Sequence, residues 1–128
     1  MFIMECVKGR GRMVGSFAEA SSTANAYRGE LLGLMQVHLI LLAVQCTVPA
    51  LEGKIVIYLD CHGALGWVSC FHLGEYQLPM HCRHSDVLKN ILVNCGDFTF
   101  QKEFCHVKAY QDDSVDFHLL DQPAQLNV

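Results

Sequence analysis

At 128 residues, 52% of them hydrophobic, and with a formal net charge of −4, the chain has the size and apolar content of one compact domain spanning residues 1–128 and does not read as a disordered tail. The acidic balance supplies no global positive field to hold nucleic acid by counterion release, so a polyanion partner has to be met by local basic clusters or through divalent cations. Seven cysteines, scattered without a CxxC pair, and an opening that lacks the pattern of a secretory signal point to a reducing, intracellular setting.

In chain order, residues 2–6 (FIMEC) and 12–18 (RMVGSFA) are short runs of strand formers flanking VKGRG, whose two glycines make a hairpin signature. The stretch ASSTANAY then offers several N-cap candidates for a helix from about Ala26 to Gln45. On that helix Gly33, Val37, Ile40 and Val44 share a side with Glu30, one turn before Gly33. Leu31 to Leu51 contains no charged residue and is near the length of a membrane span, but Gln36, His38, Gln45, Thr47 and Pro49 interrupt it, and a buried helix followed by a loop is the better reading. Lys54 to Asp60 is the clearest strand, an almost unbroken apolar run of the kind buried on both faces. A short helix over about 63–69 follows, then an irregular stretch punctuated by Gly74 and Pro79. RHSDVLKNILVNCG reads as a helix capped by His84 or Ser85, with Val87, Leu88, Ile91 and Leu92 as its apolar stripe and Gly96 as its stop. Thr99 to Ala109 forms a last strand, with Phe98 and Phe100, like Trp67 earlier, as core residues. The aspartate-rich tail carries one apolar cluster at Phe117 to Leu120. This order predicts an α/β layered architecture with part of the sheet parallel.

Ligands gather at the C-terminal ends of parallel strands, and Asp60 stands at such an end. Glu30, at the start of the preceding helix, reaches the same rim if that helix packs across the sheet. Two carboxylates meeting on a desolvated edge repel unless a cation lies between them, and a hard divalent ion suits their oxygens. The competing structural reading is that Asp60 caps the next helix and Glu30 favours the positive end of its own. Lys8, Arg10 and Arg12 form the densest basic cluster, and Asn25 and Arg28 lie near the proposed rim; these would be the nucleic-acid contacts of either an enzyme or a non-catalytic nucleic-acid or protein-interaction module, unless they are ordinary solvated charges. The pairs Cys61-His62, Cys70-x-His72, His81-Cys82-x-His84 and Cys105-His106 raise zinc, but their spacings are too close for the usual paired motifs, and zinc is the lesser alternative. Cys105 and His106 are strand neighbours on opposite faces, so they cannot serve each other as nucleophile and base.

AYRGELLGLMQ, IVIYLDCHGALGWV, RHSDVLKNI and HVKAYQDDSVDFHLLDQPAQLN, in that order and over essentially the whole chain, resemble the ribonuclease H-like domain joined to the reverse transcriptases of certain eukaryotic retrotransposons. The resemblance implies a three-layer fold with a mixed sheet and an RNA–DNA hybrid endonuclease that binds two Mg²⁺ or Mn²⁺ ions through four carboxylates. Glu30 matches the family's helix glutamate and Asp60 its fourth-strand aspartate. On this alignment the opening hairpin corresponds to the family's second and third strands. The first, central strand with its aspartate would precede Met1, and the C-terminal helix with the last aspartate would follow Val128. Tyr110 stands where similar sequences tend to carry a histidine. Two carboxylates neutralise two divalent ions poorly, so the expectation is an impaired or inactive site holding at most one weakly bound ion, with Asp112 and Asp113 as further candidate ligands.

Overall fold

The computed structural model describes residues 2–5, 12–16, 18, 20, 22, 24–72, 78, 81–96, 98–108 and 114–126. In chain order they form β1 (Phe2–Glu5), β2 (Arg12–Gly15), α1 (Ala26–Thr47), β3 (Lys54–Leu59), α2 (His62–His72), α3 (Ser85–Asn94), β4 (Gln101–His106), a 3-10 turn (Phe117–Leu119) and α4 (Gln122–Leu126). The class is mixed α/β. β1 and β2 make the expected antiparallel hairpin, with Phe2 opposite Gly15 and Glu5 opposite Arg12. β3 and β4 run parallel, with Lys54 opposite Gln101 and Leu59 opposite His106. Among the described residues these are two separate two-stranded sheets, and no ladder joins β1 to β3.

The β3–β4 ladder fixes which way each backbone group of β3 points. Gly53 accepts from the Gln101 amide and Leu59 from the Val107 amide, each at 2.9 Å. Alternate residues of a parallel strand address the same neighbour, so Lys54, Val56 and Tyr58 direct their backbone groups to the other edge. Their side chains share one face, which is open: Val56 is 37% and Tyr58 47% exposed, and Lys54 forms an ion pair with Glu103 beside them. Ile57 and Leu59, on the opposite face, are buried. The reading of β3 as buried on both faces is therefore corrected to one face in and one face out. Its β-branched and aromatic residues suit either environment, and their run conceals the alternation.

α1 is capped by Asn25, whose side chain accepts from the Arg28 amide at 2.8 Å. It extends to Thr47, two residues past the expected end, and its core contacts come from Leu31, Leu34, His38 and Leu41, whereas Val44 is exposed. The stripe expected through Val37, Ile40 and Val44 is rotated from the true one. In a helix apolar nearly all round, no charge marks the solvent side. By length and composition α1 would also pass for a membrane span, as core helices of soluble proteins do. Here one face carries the main core, joined by Ile57, Leu59, Ala64, Val68, Phe71, Val87, Leu88, Ile91 and Phe100.

Two basic side chains are folded into this interior. His38 is fully buried, its Nδ1–H donates to the Leu34 carbonyl at 2.9 Å, and desolvation pulls its pKa down to about 4. Lys102, on the inward face of β4, donates to the Cys95 carbonyl at 2.8 Å and lies 4.4 Å above the Phe98 ring, with burial lowering its pKa. The tail docks through a smaller cluster in which Leu120 and Ala124 cover Val107, and Asp121 caps α4 by accepting from the Ala124 amide at 3.0 Å. Of the apolar tail cluster anticipated at 117–120, only Leu120 is buried; Leu119 is 77% exposed.

Candidate functional site

The rim formed by the C-terminal ends of β3 and β4 gathers residues from four elements. β3 stops at Leu59, the chain bends at Asp60, and α2 starts at His62. Glu30 stands on α1 just after its first turn. The carboxyl groups of Glu30 and Asp60 come within hydrogen-bonding reach of each other. Partial desolvation of Glu30, then the charge and hydrogen bond of Asp60, raise the Glu30 pKa above the usual glutamate range. The two acidic groups, 30 positions apart in the sequence, thus meet at one rim.

The starts of α1 and α2 pack closely beside that meeting point. A Cβ built on Gly63, in the first turn of α2, would stand 3.0 Å from Cε2 of Tyr27 in the first turn of α1. A side chain there would press on the edge of the Tyr27 ring, which would have to give by a few tenths of an ångström. Farther round, α1 is clamped to α3. Arg28, 8% exposed, places Nη2 2.7 Å and Nη1 2.9 Å from the two carboxylate oxygens of Asp86, and its Nη1 lies 3.4 Å from His84 Nδ1. The Arg28 hydrogen bonds hold the Asp86 carboxyl down at about 2. His84, the N-cap residue of α3, adopts a left-handed backbone with φ 59° and is buried beside Arg28 and Tyr27.

The nucleic-acid contacts anticipated from sequence fare differently. Arg28 is mostly buried, and its guanidinium is paired with Asp86, whose carboxylate is 64% exposed. Asn25 is the helix cap. Arg12 opens β2, while Lys8 and Arg10, with Asp112 and Asp113, lie outside the described residues.

At the outer end of the rim two histidines stack. The His62 and His106 ring centroids are 3.7 Å apart with planes 14° from parallel, and both residues are exposed. His106 Nε2–H donates to the Asp60 backbone carbonyl at 3.3 Å, tying the end of β4 to the turn that carries the acidic pair. Sequence reasoning saw these histidines only as halves of Cys-His pairs. What unites them is the parallel pairing of β3 with β4, and position 62, two residues past Asp60, was the one signal available.

Among the described residues no three His, Cys, Asp or Glu side chains converge in a metal-holding group. The oxygen donors that meet at the rim are the carboxyls of Glu30 and Asp60. No family model, curated protein or solved structure matches the chain.

Proposed function

We propose that the chain is a ribonuclease H-like domain from a retroelement polyprotein, ancestrally a metal-dependent endonuclease acting on RNA–DNA hybrids, whose rim binds a divalent cation between Glu30 and Asp60. The observation that carries the reading is the contact of those two carboxyls at the C-terminal end of a parallel strand, where acidic groups that repel each other gain most from a shared cation. Two further features support it. The hairpin, helix, strand, helix, helix, strand order is the one the resemblance implies, and the last two strands are parallel neighbours.

Chemically, a bound ion would supply Lewis-acid polarisation of a phosphate oxygen and a more acidic water. The chain's own part is to hold the carboxylates in place. Asn25 and Asp86 fix the first turn of α1, Gly63 lets that turn approach α2, and the β3–β4 ladder fixes Asp60. Two carboxylates leave the charge of a two-ion clamp under-compensated, so turnover by this set of ligands is weak or absent.

Mn²⁺ titration followed by electron paramagnetic resonance tests the site, with hybrid cleavage in Mg²⁺ or Mn²⁺ as the second readout. Binding lost in both Glu30→Gln and Asp60→Asn, with little or no cleavage by the parent chain, is the expected pattern. Mn²⁺ binding indifferent to both substitutions overturns the assignment. Robust cleavage that disappears in Asp60→Asn overturns the conclusion that the site is impaired.

A further inference from the structure

Away from the rim, a thiol and an amine meet inside the fold. We infer that Cys95 and Lys102 form a peroxide-responsive modification site: the thiol is oxidised to a sulfenic acid, and the lysine amine then attacks it to leave a sulfur–nitrogen (sulfenamide) bridge between α3 and β4. Neither residue belongs to the rim where Glu30 and Asp60 meet.

Two elements bring the pair together. Cys95 is the C-cap of α3, and Lys102 is the second residue of β4, on its inward face. Lys102 Nζ donates to the Cys95 carbonyl at 2.8 Å and stands 3.6 Å from Cys95 Sγ, with the centroid of the Phe98 ring 4.4 Å away. The carbonyl bond anchors the amine beside the sulfur. The two residues are only 7% and 9% exposed, and the exposed Gly96 follows Cys95, so the pair lies at the border of the core. Cys105 offers the contrast. Its thiol faces the Glu103 carboxylate at 3.6 Å, a partner that opposes the thiolate, whereas Cys95 faces a cation.

The thiolate is the form that reacts with a peroxide, and a neighbouring ammonium favours it. In the first step the Cys95 sulfur attacks one oxygen of hydrogen peroxide. The S–O bond forms, the O–O bond breaks with its electron pair, and the departing hydroxide takes a proton from the Lys102 ammonium and leaves as water. Sulfur is oxidised, peroxide is reduced, and the amine is left neutral with its lone pair next to the sulfenic sulfur. Burial, which lowers the Lys102 pKa, favours that neutral form. In the second step the nitrogen attacks sulfur, the S–N bond forms, the S–O bond breaks, and the sulfenic hydroxyl leaves with an amine proton as a second water. Nζ has to close about 2 Å on the sulfur, within the reach of a flexible four-carbon stem. Holding the two groups together favours this intramolecular step over attack by a thiol from solution. The bridge removes a buried cation and fastens the end of α3 to β4.

The test uses the full 128-residue chain carrying Cys105→Ser, which leaves Cys95 as the single cysteine of the tryptic peptide Asn90–Lys108, treated with hydrogen peroxide under native conditions. The expected product is that peptide uncut at Lys102 and lighter by about 2 Da, returned to its normal mass and cleavage by dithiothreitol. Lys102→Arg, which keeps the charge without a nucleophilic amine, should lose the bridge and leave a Cys95 sulfenic acid that dimedone traps. Lys102→Met and Cys95→Ser should lose the bridge as well, with circular dichroism to show that each variant is folded. The peptide from the chain that keeps both residues decides the outcome even where a variant fails to fold. Cys95 carried on to sulfinic acid with Lys102 still cleaved, or Cys95 untouched while the exposed Cys46 is oxidised, overturns the site. A light, uncut peptide that persists in folded Lys102→Met overturns the part given to the amine. A bridged peptide heavier by about 14 Da, with an oxygen kept between nitrogen and sulfur, overturns the condensation step.

Discussion

Replacing Asp86 by Asn asks whether charge holds the first turn of α1 in place. Arg28 reaches a partner 58 positions away and sets two nitrogens on its carboxylate, with its own side chain only 10% exposed. The Arg28 hydrogen bonds lower the Asp86 carboxyl from 3.8 to about 2. A displacement of that size corresponds to about 2.4 kcal/mol in favour of the charged form. Asp86 is 64% exposed, however, and solvent screening reduces what reaches folding stability to about 1 kcal/mol. Removing the negative charge also leaves the Arg28 cation poorly compensated in a mostly buried position, so the whole cost of Asp86→Asn is expected at about 1–3 kcal/mol at pH 7. The sign follows from the depressed pKa. The carboxylate's contribution is complete above about pH 4 and fades as pH falls toward about 2, so parent and variant should converge in acid. Urea unfolding at several pH values measures this, and a double-mutant cycle with Arg28→Met isolates the pair. A variant as stable as the parent at pH 7, or a gap undiminished at pH 2, would refute the reasoning.

Three other outcomes are expected. The raised pKa of Glu30 means that its ionisation disfavours folding: its contribution is intact in acid and lost as pH rises through the shifted value. Glu30→Gln should therefore raise Tm at pH 8 and leave it nearly unchanged at pH 4, and calorimetry showing a loss at pH 8 would contradict the crowding of the two carboxyls. For His38, the folded pKa of about 4 lies below the ordinary 6.5, so stability should fall by up to about 3 kcal/mol as pH drops between those values. His38→Leu should flatten that part of the profile, and a slope that survives the substitution would place its origin elsewhere. Gly63→Ala should weaken Mn²⁺ binding several-fold without touching a carboxylate, because the new Cβ stands 3.0 Å from the Tyr27 ring; unchanged Mn²⁺ affinity would mean that the ring yields without moving Glu30.

Local chemistry made much of the element list legible. Asn25 was among the polar cap candidates before an apolar run, Gly96 marked the end of α3, and the switch at Asp60 from β-branched residues to Cys-His-Gly-Ala marked a strand giving way to a helix. The approach of Glu30 to Asp60 was also inferable, since both stood where an α/β arrangement brings chain ends to one rim. Two orientations were not legible. α1 has no charge between Leu31 and its end to mark its outer side, and β3 alternates between buried and exposed positions with residues that tolerate both.

The sequence by itself determined the helices, the strands and the acidic residue closing β3, because caps, breakers and hydrophobic runs act over a few positions. Only the tertiary structure decided that Arg28 pairs with Asp86, that β3 is open on one face, and that His62 meets His106. Each of these depends on how distant segments pack, and 44 positions separate the two stacked rings until β3 and β4 pair in register.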